Sequence, residues 1–475
     1  MDSIVSMFEK FLSSANDFLY TYILVILLIF AGLYFTFRTK FVQFRLLKES
    51  LKVITEKKPN EKGVSSFQAL MISTASRVGT GNIVGVASAI AIGGAGSVFW
   101  MWVIAIIGSA SAFIESTLAQ IYKTKDEHGF KGGPAYYIER VLNARWLGII
   151  FSILMIACFA YGFNALQAFN ISSSLGYYSG YIPEEYRSYL PIVIGGILAI
   201  LTGIIIFGGV KRIGFITSGL VPIMAALYIL FGLFITIKNA SILPEVFSNI
   251  FSQAFDFKAI FGGFAGSALM NGIKRGLFSN EAGMGSAPNA AAIAEVSHPV
   301  KQGLVQMFSV FIDTIFICTT TAMILLCSGV QGGDTLKGVD FVQVAVRENL
   351  GSFGEYGILF ITISMFLFAF SSLIGNYYYT EGNLKFITEN KVALFIFRIS
   401  CLVMIFVAPL FTFDTAWNLA DVLMGLMATI NIIVILILGN IAFKALDNYT
   451  KQKKEGKDPV FKAEDIGLNN TDFWK

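Results

Sequence analysis

The sequence predicts an all-α integral membrane protein with eleven transmembrane helices. One extra N-terminal helix precedes a core of ten, arranged as a five-plus-five inverted repeat with two broken helices. Three observations predict it. The 475 residues are 55% hydrophobic and 14% charged, against about 25% charge in soluble domains. The apolar residues fall into runs of span length, and the basic residues between them alternate between two sides. Two runs, at corresponding places in the two halves, are interrupted by glycine and polar residues.

A span needs about 20 apolar residues. The runs are Phe18–Phe37, Phe67–Ile92, Val98–Tyr122, Trp146–Ser172, Leu190–Phe207, Ile213–Ile237, Ile260–Asn280, Gln302–Ser328, Gly354–Tyr378, Val392–Phe411 and Trp417–Phe443. The seventh continues as a second helical piece after Gly283-Met284-Gly285, and Gly132–Tyr137 reads as the start of an interfacial helix. Residues 1–63 form the N-terminal helix and a basic linker, 64–240 and 241–443 the two repeats, and 444–475 a polar tail. Met1–Asp17 is polar and amphipathic ahead of a full-length span, unlike a cleavable signal.

If Arg38–Gly63 is cytoplasmic, the stretches on its side carry 28 Lys and Arg and the opposite side 6. Adding or losing one middle span would erase that bias. The positive-inside rule then puts the N-terminus outside and the C-terminus in the cytoplasm of a cell membrane. Cys158, Cys318, Cys327 and Cys401 lie in or beside apolar runs without CxxC spacing and read as small buried hydrophobes. His128 and His298 are too few for a metal cluster. No cofactor-binding or nucleic-acid-binding signature is present.

The first interruption is Arg77-Val78-Gly79-Thr80-Gly81-Asn82. Irregular backbone at membrane depth is tolerated where it is buried or lines a cavity, and ionisable residues there mark function. Unwinding at Gly79 and Gly81 frees amides at a helix start, which suit a carboxylate, with the Thr80 hydroxyl as a further donor. The freed carbonyls suit an ammonium group or Na⁺. In the second interruption Asn271 and Gly272 are the expected break, with Met270 and Ile273 as an apolar wall. Lys274, Arg275 and Glu281 are expected toward the cytoplasm, as a gate or as the solvated end of the span. Paired interrupted spans point to a secondary transporter with its site at the breaks. Gln167 and Asn170 are polar groups in an apolar helix, and Gln167 is expected to orient the solute. Glu115 and Asp313 are acids at membrane depth, read as structural or as proton sites.

The runs Gly79-Thr80-Gly81-Asn82-Ile83, Phe99-Trp100-Met101-Trp102, Gly132-Gly133-Pro134 and Gly276-Leu277-Phe278-Ser279-Asn280-Glu281-Ala282-Gly283 resemble the alanine or glycine:cation symporter family, over about residues 67–443. That family is similar to the leucine-transporter (LeuT) fold. The resemblance implies a symporter importing small neutral amino acids with Na⁺ as coupling ion. It puts on the ion the carbonyls of Ala75, Val78 and Phe368 and the hydroxyls of Ser371 and Ser372. Asn376, one turn further, is expected in the solute pocket. Arg77 stands where a second ion of this fold would bind, so one ion is expected, with Arg77 paired to an acid. Proton coupling is the nearest alternative, but relatives of that kind place a lysine at the ion site and Ile213–Ile237 carries no charge. A channel would need a repeated filter loop. No His-Glu-x-x-His or Gly-x-Ser-x-Gly motif suggests an enzyme.

Overall fold

The computed structural model describes residues 2–56, 64–126, 129–256, 263–333 and 335–474. His128, part of the basic linker (57–63) and the start of the seventh predicted span (260–262) lie outside them. Thirteen helices frame the molecule: α1 (Ser6–Arg38), α2 (Ser66–Arg77), α3 (Gly81–Gly93), α4 (Gly96–Ile121), α5 (Arg145–Tyr181), α6 (Leu190–Ile206), α7 (Ile216–Lys238), α8 (Ala268–Asn280), α9 (Ala287–Ile293), α10 (Pro299–Leu326), α11 (Gly354–Ile387), α12 (Lys391–Leu410) and α13 (Phe413–Lys454). Among the described residues eight helices are long and apolar enough to cross a bilayer, or nine if the bent pair α2 and α3 counts as one span. Leu190–Ile206 is a shorter apolar helix.

Local chemistry starts these helices where the sequence supplies a cap. Ser65 and Gln68 form a reciprocal capping box ahead of α2. The hydroxyls of Ser267 and Thr412 accept from the third amide of α8 and α13. Pro288 and Pro299 sit in the first turns of α9 and α10, where a missing N–H costs nothing.

Burial separates a core from a lipid-facing rim. The most apolar windows of α4 and α10 are 67% buried, those of α7 and α12 only 33% and 28%. Ile223, Leu227, Leu230 and Phe234 on α7, and Phe395, Ile396, Ile399 and Val403 on α12, stay exposed as a surface for acyl chains. All four cysteines are buried and free. Gly375 lets α11 run against α2: a Cβ there would stand 2.7 Å from the Ser76 amide nitrogen.

At the Arg38 end a short antiparallel hairpin pairs Thr124–Asp126 with Gly129–Lys131, and Pro134–Leu142 forms a helix. The C-terminal segment folds over this end. The Trp474 indole donates to the Gln120 carbonyl at 2.8 Å, and Arg140 pairs with Asp472 at 2.6 Å. Phe130, Phe473 and Trp474 surround the Lys123 ammonium at 4.1, 4.6 and 5.0 Å from their ring centres. Burial, partly offset by Glu295, pushes the Lys123 pKa down to about 7.

Candidate functional site

The chain breaks between α2 and α3, which meet at a 54° bend. The Val78 amide still donates to the Thr74 carbonyl of α2 at 2.8 Å, but the next two amides do not return to that helix. The Gly79 amide donates to Asn82 Oδ1 at 3.0 Å, and the Thr80 amide to Gln167 Oε1 at 3.0 Å. This diverts the amides that would otherwise close turns on Ala75 and Ser76. Gln167, from α5, therefore lies against the break; a Cβ at Gly79 would stand 3.0 Å from its carboxamide oxygen and collide with Ser372 Oγ. The Thr80 hydroxyl is fully buried and has no hydrogen-bond partner. A free donor at that depth is costly unless something else meets it.

Helix α11 supplies the facing oxygens. Ser372 Oγ lies 3.4 Å from the Val78 carbonyl and 3.1 Å from the Phe368 carbonyl. Ser371 Oγ donates to the Phe368 carbonyl at 2.8 Å and lies 3.8 Å from the Met224 sulfur. Four of the five oxygens expected around an ion thus form one linked chain, and Ala75, fully buried, lies one turn before Val78. Asn376 accepts from Ser76 at 2.7 Å and donates to Asn164 at 3.0 Å. It ties α11 to α2 and to α5 beside the break.

The second break differs from the expectation. Helix α8 runs unbroken through Met270, Asn271, Gly272 and Ile273. Gly272 serves packing, since a Cβ there would collide with the Ser97 carbonyl of α4 and stand 2.6 Å from Trp100 Cβ. A Cβ at Gly93, at the end of α3, would stand 3.1 Å from Asn271 Cβ, so these four residues lie toward the far end of α3 from Gly79 and Gly81. The chain leaves helical geometry instead at Glu281, Gly283 and Gly285, with φ of 55°, 81° and 89°. The wall at the first break comes from Phe278: a Cβ at Gly81 would lie 2.7 Å from its ring. That ring packs on Phe163 at 4.8 Å and Trp417 at 5.2 Å between centroids.

Fixed acids hold the second break. Glu115 accepts from the Gly283 and Gly285 amides at 3.2 and 3.0 Å and from Asn431 at 2.8 Å. Glu281 accepts from Ser286 at 2.5 Å and shares the single proton of the Ser76 hydroxyl, 3.1 Å away, with Asn376. Asp313 accepts from Asn82 at 2.7 Å, Ser279 at 2.7 Å and Thr314 at 2.9 Å, stitching α8 and α10 to the start of α3. Hydroxyl, amide and carboxamide donors, rather than an ion pair, satisfy these carboxylates. Arg77 meets the Ser309 hydroxyl and the Gln306 carbonyl of α10; its Nε and Nη2 have no hydrogen-bond partner. Among the described residues no acid pairs with it.

Lys274 and Arg275 lie buried at the end of the molecule away from Arg38, whose end the sequence predicts to be cytoplasmic. They meet Asp421 of α13 at 2.8 and 2.9 Å, and Lys274 meets Asn16 of α1 at 3.0 Å. At about 1.5 Å per residue Asn16 is some 30 Å along α1 from Arg38. Sequence reasoning missed Ser279, Phe278 and the wound backbone around the site. Gly81–Gly85, Ala157–Phe163 and Phe311–Cys318 are π-helical, a geometry that gathers at functional sites.

A backbone break carrying unpartnered donors, faced by hydroxyls and carbonyls, fits a small zwitterion with a cation. Known proteins lead to the same place. The profile of the sodium:alanine symporter family matches residues 5–463. The Bacillus subtilis "Amino-acid carrier protein AlsT" is 48% identical, covering 99% of this chain and 98% of its own. "Probable sodium/glutamine symporter GlnT" from the same organism is 48% identical over 95% and 93%. "Sodium/alanine symporter AgcS" of Methanococcus maripaludis is 37% identical over 95% and 99%. Among solved structures, the transporter MhsT in complex with L-phenylalanine superposes with a TM-score of 0.51 at 16% identity, covering 86% of this chain and 92% of its own; it shares the LeuT-type fold. By sequence along nearly its whole length, with the architecture in agreement, this chain belongs to the sodium:alanine symporter family.

Proposed function

We propose that the chain is a Na⁺-coupled importer of alanine and glycine that works by alternating access, with one Na⁺ per solute. The observation that carries this reading is the contact between α11 and the first break. Ser372 Oγ reaches both Val78 O and Phe368 O, and Ser371 Oγ reaches Phe368 O; Val78 lies two residues along the chain from Thr80, whose hydroxyl has no partner. A sodium ion drawing these oxygens together, with the Ala75 carbonyl, fixes the start of α3. The Gly79, Thr80 and Gly81 amides then face the solute carboxylate, with Gln167 exchanging its bond to the Thr80 amide for one to the solute. Ion and solute share one piece of backbone, so each strengthens the other's binding by the same factor. Asn376 lies beside the pocket, and Phe278 limits the solute side chain. Met270, Asn271, Gly272 and Ile273 take no part in this site. The guanidinium of Arg77 provides the fixed charge where a second ion would otherwise be needed.

Eleven spans follow when Leu190–Ile206 and the pair α8 and α9 are counted with α2 and α3 as a single span and the others. The ten after α1 make two five-helix units of opposite orientation, the N-terminus outside and the C-terminus cytoplasmic. The name of the GlnT relative favours a second reading, in which the solute is glutamine.

Purified protein in liposomes tests these readings. Labelled alanine or glycine should accumulate in proportion to an imposed Na⁺ gradient. Accumulation driven by a proton gradient alone overturns Na⁺ coupling. Accumulation of glutamine with no competition from alanine selects the second reading.

A further inference from the structure

The helix outside the ten-helix core reaches into an ion cluster above the first break. Asn16 of α1 is 2% exposed and both ends of its carboxamide are in use. Its oxygen accepts from Lys274 Nζ at 3.0 Å; its nitrogen donates to Asn418 Oδ1 at 2.8 Å and to Asp421 Oδ2 at 3.4 Å. The core supplies two cations and one carboxylate here. Arg275 takes both oxygens of Asp421 at 2.9 and 3.0 Å and lies over the Trp417 ring at 4.2 Å. Lys274 reaches the same carboxylate at 2.8 Å. One carboxylate shared by two buried cations leaves Lys274 short of acceptors; α1 adds the Asn16 oxygen in direct contact and, without a contact, the charge of Asp17. Tyr20 adds its ring face, 4.9 Å from the ammonium, and its hydroxyl, 3.3 Å from the Asp421 carbonyl. The cluster joins α8 to α13, and beneath it Trp417 packs on Phe278, whose ring covers Gly81.

We infer that α1 sets how readily this end of the site opens, with Asn16 as the positioning residue that latches α8 to α13 when the passage over Phe278 and Trp417 is shut. Parting α8 from α13 must break the Arg275–Asp421 fork and strip Lys274 of Asn16 or of Asp421. The strength of the Asn16 bond therefore biases the closed form. This rests on the reading of the first break as the solute site, with this end of the molecule facing outward.

A cysteine at Gly85 reports the opening. Its Cβ would have ordinary contact room, 3.6 Å from Trp417 and 3.9 Å from Arg275 Cδ, and the four native cysteines are buried. The probe is a membrane-impermeant maleimide on right-side-out and inside-out vesicles. Asn16→Leu is expected to speed labelling of the Gly85→Cys protein about tenfold in right-side-out vesicles, the effect of losing a hydrogen bond to a charged group. Asn16→Asp keeps the acceptor for Lys274 but turns the donor that meets Asn418 and Asp421 into an oxygen, so its labelling rate is expected to fall between those of the parent and Asn16→Leu. If Asn16→Leu does not fold, Asn418→Ala removes one bond at a half-buried position and is expected to act in the same direction, about two- to threefold. Labelling at the parent rate in both Asn16→Leu and Asn418→Ala overturns the inference. Parent labelling confined to inside-out vesicles overturns the outward orientation alone, because the ratio of variant to parent rates still reports on Asn16.

Discussion

The two breaks look alike in sequence and are finished in opposite ways. At the first, side chains stand in for helix partners: Gln167 and Asn82 take the amides, Ser372 touches the Val78 carbonyl, and the Thr80 hydroxyl meets nothing. At the second, the Glu115 carboxylate closes on two backbone amides and Asn431, and Glu281 on two serines. The first holds groups that a ligand can take over; the second is already complete. A glycine-rich interruption at membrane depth is thus ambiguous until its donors and acceptors are matched one by one. Here the first break keeps unmatched donors on Thr80 and Arg77, while the acids at the second are matched.

The comparison breaks most visibly at Glu115. Glu115→Ala strands two amides and a carboxamide and should cost at least about 3 kcal/mol. It reads as a clear fall in Tm of the detergent-solubilised protein, with the Na⁺ requirement of the surviving folded fraction unchanged. An unchanged Tm would mean the second break does not depend on that carboxylate. Thr80→Val should do the reverse. It removes a hydroxyl without a partner, so stability should move by less than about 0.5 kcal/mol, while the solute KM rises about tenfold. A KM like the parent's would take Thr80 out of the site. Serine replacements divide the ion site more finely. Ser372→Ala should raise the half-saturating Na⁺ concentration about fivefold, and Ser371→Ala less, because both hydroxyls back-bond to Phe368 but only that of Ser372 also reaches the Val78 carbonyl, while that of Ser371 faces Met224. Equal effects, or none, would refute the order.

The smallest effect lies outside both breaks. Lys123 has a pKa of about 7 in the folded protein against an ordinary 10.5. Between those values the unfolded chain binds a proton that the folded one does not. Stability should therefore rise as pH goes from 7 toward 10, and stay at its lower level below 7. Lys123→Met should flatten that part of the Tm profile without altering Na⁺ dependence. A slope that survives the substitution places its origin elsewhere.

The membrane-spanning, helical character of the frame was legible because hydrophobicity is a coarse signal that survives averaging over a span. The first break was legible too: two glycines flanking a threonine, beside Arg77 and Asn82, have no place in a lipid-facing helix. The second was misplaced by some ten residues. Asn271-Gly272 carries the same signature, yet its glycine answers to the close approach of Ser97 and Trp100 on α4, which no local pattern records. Ser279 and Phe278 were out of reach for the same reason, since their partners, Asp313 and Gly81, are remote in the chain. Lys274 and Arg275 read as a solvated end because two adjacent cations usually are one. Their carboxylate, Asp421, lies 146 residues away.

Three π-helical segments, Gly81–Gly85, Ala157–Phe163 and Phe311–Cys318, meet around the first break. A π turn carries one residue more than the α turn it replaces. Losing one residue there returns the ladder to regular α-helix and leaves both flanking helices intact. Elsewhere in a span the same deletion rotates every later side chain by about 100° with nothing to absorb it. These segments are therefore where insertions and deletions can pass through the chain at least cost to folding. Such changes would turn Asn82, Phe163 and Asp313 to new directions while the helices on either side stay in place.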